Sequence, residues 1–175
     1  MKFNKKYGIC FWITGLAGSG KSSIGKLIQK DIEKKYGKTL LIHGDDIRNI
    51  FNLKGYKKNY RLKIGKSYSD FCKLTTKQGI NIIFTTIGLI HELQEYNRSN
   101  VKNFIEIYIK SNMTTLLKRK QKIFYIHKTS LVYGVDVKPE YPKNPDIIIN
   151  NNFKKTSKQH SSIILKKLKE KVIQF

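Results

Sequence analysis

Apolar positions along the chain come in short crowded runs, separated by stretches in which they recur every third or fourth residue. Tyr7 to Thr14 (YGICFWIT), Thr39 to Ile42 (TLLI), Ile80 to Ile87, Asn103 to Ile109 (NFIEIYI) and Asp146 to Asn150 are the crowded runs. They are rich in β-branched and aromatic residues, which predicts strands buried on both faces. Helical spacing runs from Lys21 to Tyr36 through Ile24, Leu27, Ile28 and Ile32, and from about Arg61 to Gln78 through Leu62, Tyr68, Phe71 and Leu74. Gly37 and Gly79 end these two helices. A short helix leaves His43-Gly44-Asp45-Asp46 and reaches Phe51; further helical stretches lie near Leu89 to Asn97, Thr114 to Arg119 and Ser161 to Ile173. Strands thus alternate with helices. The pattern predicts a three-layer α/β fold, a parallel sheet of about five strands covered by helices on each face and joined by right-handed crossovers.

One segment breaks the alternation. Lys120 to Pro145 is polar, rich in Tyr and Lys, and holds all three prolines, Pro139, Pro142 and Pro145. Stretches of that length are lids, binding loops or disordered, so residues 120–145 are read as a lid on one domain spanning 1–175.

Composition narrows the class. Apolar residues at 39% suffice for a packed core. The apolar runs fall far short of the roughly 20 residues needed to span a bilayer, and no signal peptide is read at the basic N-terminus. The expectation is a cytoplasmic protein with no membrane partner. Cys10 and Cys72 are read as buried free thiols. Lys and Arg outnumber Asp and Glu by 35 to 12, a net charge of +23. That field attracts polyanions, nucleic acid and nucleotides alike. The lysines are spread from Lys2 to Lys171 with no RNA-binding signature. Solvated lysine faces are therefore the simpler reading, and nucleic acid is the less favoured partner. A homodimer remains open.

Chemistry enters between the first strand and the first helix. Gly15-Leu16-Ala17-Gly18-Ser19-Gly20-Lys21-Ser22 matches the phosphate-binding pattern G-x-x-x-x-G-K-[ST] in its required strand–loop–helix setting. Backbone N–H groups across Gly15, Ala17, Gly18, Ser19, Gly20, Lys21, Ser22 and Ser23 can converge on phosphates. Lys21 reaches the β- and γ-phosphates, and the Ser22 hydroxyl can ligate Mg²⁺. The implied ligands are ATP and Mg²⁺. At the end of the second strand, Asp45 would face those phosphates, able to help hold Mg²⁺ or to accept the proton of an attacking hydroxyl, while Arg48 grips an anionic substrate. An N-capping Asp followed by a solvated Arg is the competing reading.

The phosphate loop, Gly44-Asp45-x-x-Arg48, Gly55-Tyr56 with Arg61, Asn97-Arg98, Phe104 to Tyr108, Lys122-x-x-Tyr125, and Gly134-Val135-Asp136 followed by Glu140, Pro142 and Pro145-Asp146 occur in order. In this the chain resembles the adenylylsulfate kinases over most of its length. The resemblance implies a nucleotide-kinase-like phosphate-loop fold and transfer of the γ-phosphoryl group of MgATP to the 3′-hydroxyl of a small nucleotide. It implies Asp45 as base or metal-organising carboxylate, Arg48 and Arg61 on the substrate's acidic tail, Lys122 as a catalytic lid cation, and Tyr56 stacking on the substrate base. It places Ile87, Val132, Gly134, Val135 and Asp136 around the same substrate. For Lys122 a solvated basic face is an equal alternative, and for Tyr56 a hydrophobic anchor.

The departures from the family gather on the substrate side. His43 stands where the family has aspartate, Ile64 where it has a substrate-facing amide, Gly88-Leu89 where it has serine-proline, and Lys120 where it has an acid. The second aromatic of the base clamp is Val132, with Tyr133 adjacent. A slot with one aliphatic wall gains less from stacking a purine. The related kinases of cytidine diphosphoramidate, which serve capsule phosphoramidate synthesis, therefore rank before adenylylsulfate kinase, with a nucleic-acid-binding phosphate-loop protein as the alternative of another class.

Overall fold

The crowded apolar runs all become strands. The computed structural model describes residues 3–119 and 131–172. In chain order, β1 (Cys10–Thr14) passes through the glycine turn to α1 (Lys21–Tyr36). β2 (Thr39–His43) leads to α2 (Gly44–Ile50) and α3 (Lys58–Lys77), and β3 (Asn81–Thr85) to α4 (His91–Asn100). β4 (Phe104–Lys110) leads to α5 (Met113–Arg119), and β5 (Ile147–Asn150) to α6 (Ser157–Lys171).

Among the described residues the strands form one five-stranded parallel sheet in the order β2-β3-β1-β4-β5. The chain runs outward from β1 to β2, returns to β3 beside β1, and then crosses to β4 on the other side. β1 is thus the switch point of the topology, where open α/β sheets place their ligands. Register aligns the carboxyl ends: Thr85 lies opposite both Ile13 and His43, and Thr14 opposite Tyr108. The turns that leave β1, β2 and β3 therefore emerge side by side.

Alternation along the strands sends side chains to two cores, each covered by helices. On one face Phe11, Ile13, Ile83 and Ile107 meet Ile24, Ile28 and Ile32 of α1 and Ile164 and Leu168 of α6. On the other, Trp12 and Phe84 meet Tyr68 and Cys72 of α3 and Leu93 of α4. Each fully buried large side chain contributes about 1.5–3 kcal/mol. Trp12 and Phe84 stack at 5.1 Å with an interplanar angle of 11°. Cys10 and Cys72 are free and buried. No helix among the described residues is long and apolar enough to cross a membrane.

Boundaries differ where polar residues open a helix. α3 begins at Lys58 rather than Arg61, and α6 at Ser157 rather than Ser161. In α6 the reason is a capping box: the Thr156 hydroxyl accepts from the Gln159 N–H at 3.2 Å, and Gln159 Oε1 accepts from the Thr156 N–H at 2.8 Å. That first turn carries no apolar periodicity, so spacing alone places its start too late.

Candidate active site

The glycine turn is built from backbone. Gly15, Gly18 and Gly20 all have positive φ, a region side chains disfavour. A Cβ at Gly15 would lie 2.5 Å from the Ile109 carbonyl oxygen, so only glycine lets the loop pass the end of β4. The turn delivers α1 with Gly20 at its N-cap, no side-chain cap and no acidic residue in the first turn. The partial positive charge of the helix end is therefore not neutralised by a carboxylate of its own first turn. Lys21 is buried, and its Nζ donates to the Leu16 carbonyl at 2.7 Å, which keeps the ammonium at the loop. Ser22 and Ser23 are exposed at the start of α1. The Ser19 hydroxyl is buried without a hydrogen-bond partner among the described residues. An anion cradle with an orphaned hydroxyl and an exposed Ser22 fits a polyphosphate with its metal ion.

Beside the loop lies a small cleft, open to solvent. Ile87 lines it and joins it to the loop, its carbonyl accepting from the Thr14 hydroxyl and from the Gly15 N–H at 3.4 Å. Asp45, Arg48, Arg61, Ile87 and Tyr133 line it, with Tyr68 at its back. Asp45 is the sole carboxylate among the described lining residues. It is exposed in the first turn of α2, where His43, not Asp45, is the N-cap. Arg48 is half-buried and tied down: its Nη1 donates to Leu53 O at 2.7 Å and Gly55 O at 3.2 Å. Neither half of the capping reading describes the pair. Burial pushes the Tyr68 phenol up to about 12, and its hydroxyl donates to the Gly44 carbonyl at 3.1 Å, holding the start of α2.

Aromatic rings set the arginines. Arg48 lies 5.0 Å above the Tyr56 ring and Arg61 5.1 Å from it, while Arg61 also sits 4.6 Å from the Tyr133 ring. Arg61 donates to Tyr56 O and to Leu131 O, both at 2.6 Å. Its guanidinium thus occupies the gap between two tyrosines, each contact worth about 0.5–2 kcal/mol. Val132 does not line the cleft. Its neighbour Tyr133 lines the cleft instead, and the buried Tyr133 hydroxyl has no hydrogen-bond partner among the described residues. Burial raises the Tyr133 pKa, which keeps that hydroxyl protonated as a donor.

Val132, Gly134, Val135 and Asp136 form one tight turn. Asp136 Oδ2 accepts from the Val132 N–H at 2.9 Å, and Gly134 donates its N–H to Val137 O at 2.9 Å. Gly134 has φ +87, and a Cβ there would meet Met113 Sδ at 2.8 Å and Leu16 Cδ2 at 3.4 Å, so the turn rests on the phosphate loop. Val135 is exposed. Lys122, with residues 120–130 of the expected lid, lies outside the described residues.

The chain that follows the turn is anchored by acids. Glu140 pairs with Lys58 and accepts the His91 N–H at 2.7 Å, contacts that hold its carboxyl below the usual range. Arg98 binds Glu106 at 2.9 Å, Asp146 at 3.3 Å and the Asn144 carbonyl at 2.9 Å. His43, the departure from the family's acid, bonds Thr85 Oγ1 at 2.8 Å and ties β2 to β3. Ile64 and Gly88, two other departures, line the cleft. Sequence reasoning placed Tyr68 only in the apolar stripe of its helix and had no signal for Asn151, which donates to the Ser19 carbonyl at 2.9 Å. Both act through contacts distant along the chain.

Fold and loop together define a phosphate-loop kinase. The chain belongs to the adenylylsulphate kinase family, whose model matches residues 7–150. It is 35% identical over 161 residues to the cytidine diphosphoramidate kinase of Campylobacter jejuni, covering 90% of this chain and 94% of that one. It is 31% identical over 151 residues to the adenylyl-sulfate kinase of Clostridium kluyveri, covering 83% and 76%. In three dimensions it is similar to the Mycobacterium tuberculosis APS kinase in complex with AMPPNP and APS, with TM-score 0.84, 22% identity and coverage of 93% and 98%. At that identity the likeness establishes the fold.

Proposed function

We propose that the protein is an ATP-dependent kinase acting on the 3′-hydroxyl of a nucleotide with a modified diphosphate tail, cytidine diphosphoramidate first. The observation that carries the reading is the arrangement of the cleft: one carboxylate, Asp45, shares a chamber with two ring-held arginines beside the phosphate loop. The loop amides, Lys21 and the first turn of α1 grip the donor's phosphates. Ser22 and Asp45 are the groups that would hold Mg²⁺, which when bound neutralises charge on the transferred group. Asp45 orients the acceptor hydroxyl and takes its proton as oxygen bonds to the γ-phosphorus and the bridging oxygen leaves with ADP. Arg48 and Arg61 neutralise the acceptor's tail, and Lys122 is assigned to the lid that excludes water.

Two features favour the cytidine substrate over adenylylsulfate. The identity is higher with the cytidine diphosphoramidate kinase. Tyr56 does not line the cleft, and the Tyr133 ring that does is already covered by the Arg61 guanidinium, leaving a smaller stacking surface for a base. Following ADP release with cytidine diphosphoramidate, adenylylsulfate, cytidine diphosphate and an oligonucleotide in parallel tests the reading. The highest kcat/KM is expected for cytidine diphosphoramidate. A preference for adenylylsulfate would move the protein to the other branch, and turnover with the oligonucleotide alone would end the small-nucleotide reading.

A further inference from the structure

A phosphate loop that points its N–H groups at an anion must turn carbonyls away, and a buried carbonyl needs a donor. For Ser19 the donor is the Asn151 side chain, the first residue after β5, with Nδ2 at 2.9 Å in a buried contact. Asn151 is itself fixed to the sheet, its N–H bonded to Lys110 O at 2.8 Å. Its Oδ1 accepts from the Phe153 N–H at 3.0 Å and lies 3.2 Å from His160 Nε2 on α6. Flipping this amide would set oxygen against the Ser19 carbonyl and NH₂ against the Phe153 N–H, two repulsions at once. Because Oδ1 can only accept, Nε2 carries the imidazole proton and Nδ1 is bare. His160 is 2% exposed, and its Nδ1 has no hydrogen-bond partner among the described residues. Burial, followed by Lys155, holds its pKa below the ordinary value, which favours the neutral ring.

We propose that His160 is a positioning residue for the phosphate loop: by locking the Asn151 amide in one orientation it holds the Ser19 carbonyl away from the donor site. The inference rests on the proposed ATP site and deepens it. His160 touches no substrate. Its effect passes through one amide to one peptide of the loop, so it bears on the donor and not on the acceptor cleft.

The test begins with calorimetry of the unaltered protein and MgATP. No uptake there would overturn the kinase reading, whatever His160 does. With uptake established, Asn151→Asp and His160→Leu are expected to raise both the ATP Kd and the ATP KM about tenfold, the worth of one or two hydrogen bonds. The acceptor KM should stay within about twofold, a split that general destabilisation does not produce. His160→Gln, which keeps a donor, should recover most of the loss. An ATP affinity equal to the unaltered protein's in His160→Leu would overturn the proposal, as would equal losses for ATP and acceptor. Should His160→Leu not fold, long-range ¹H–¹⁵N correlation on the unaltered protein decides: protonated Nε2 with bare Nδ1 is expected, and the opposite tautomer overturns the proposal.

Discussion

The two halves of the site are made of different material. The donor side is main chain: three glycines at positive φ, a helix end and one lysine folded onto its own loop. The acceptor side is side chain: two arginines suspended between carbonyls and tyrosine rings, with one exposed carboxylate. Backbone sites are specified by a few contiguous residues and tolerate little change. Side-chain sites are assembled from distant segments and can be re-tuned one residue at a time. Of the substitutions relative to the family, Ile64, Gly88 and Leu89 line the acceptor cleft, while His43 and Val132 do not.

Breaking the donor side should cost most. Lys21→Ala is expected to lower kcat by at least about a hundredfold while circular dichroism and Tm stay near normal. A normal rate would show that the lysine does not reach transferred charge. Asp45→Asn comes next: kcat should fall about a hundredfold with the ATP Kd preserved, because the amide keeps the shape of the carboxylate but cannot take a proton. Loss of ATP binding instead would assign Asp45 to the metal alone.

Smaller effects sharpen the acceptor side. Tyr133→Leu should raise the acceptor KM about tenfold, since one wall of the slot and a buried donor disappear together. Val132→Phe should change it by less than about twofold, because Val132 lies outside the cleft lining. If Val132→Phe alters base preference and Tyr133→Leu does not, the assignment of the wall is reversed. The smallest effect is on pH-dependent stability. The Lys58 pairing and the His91 N–H hold Glu140 below its unfolded pKa, so its contribution is present above that value and is lost as pH falls through the folded one. Tm measured between about pH 5 and 3 should therefore fall more steeply for the unaltered protein than for Glu140→Gln. Parallel curves would show that Glu140 does not anchor the chain after the turn.

The fold and the donor loop were legible in the sequence because both are local. Crowded apolar runs, such as Ile80 to Ile87, have no alternative burial in an alternating chain, and the glycine pattern carries its own geometry. The acceptor wall was harder to read. Val132 and Tyr133 are adjacent, and which one faces the cleft depends on the turn closed by Asp136 and Gly134, which spacing does not encode. Resemblance located that turn but not its rotation. Asp45 was read as a possible cap because the sequence does not reveal that β2 runs through His43 and makes it the N-cap. Asn151 gave no signal, since its importance lies in a contact with Ser19 132 residues away.

The placement of Trp12, the chain's single tryptophan, has a practical consequence. Its indole Nε1 is buried without a hydrogen-bond partner among the described residues, and a Cβ built on Gly88, at the wall of the cleft, would lie 3.3 Å from it. One chromophore therefore sits directly behind the acceptor wall, with no second indole to obscure its emission. Arrival of a nucleotide against that glycine should register as an intrinsic fluorescence change, giving a label-free optical readout of substrate capture in the native protein.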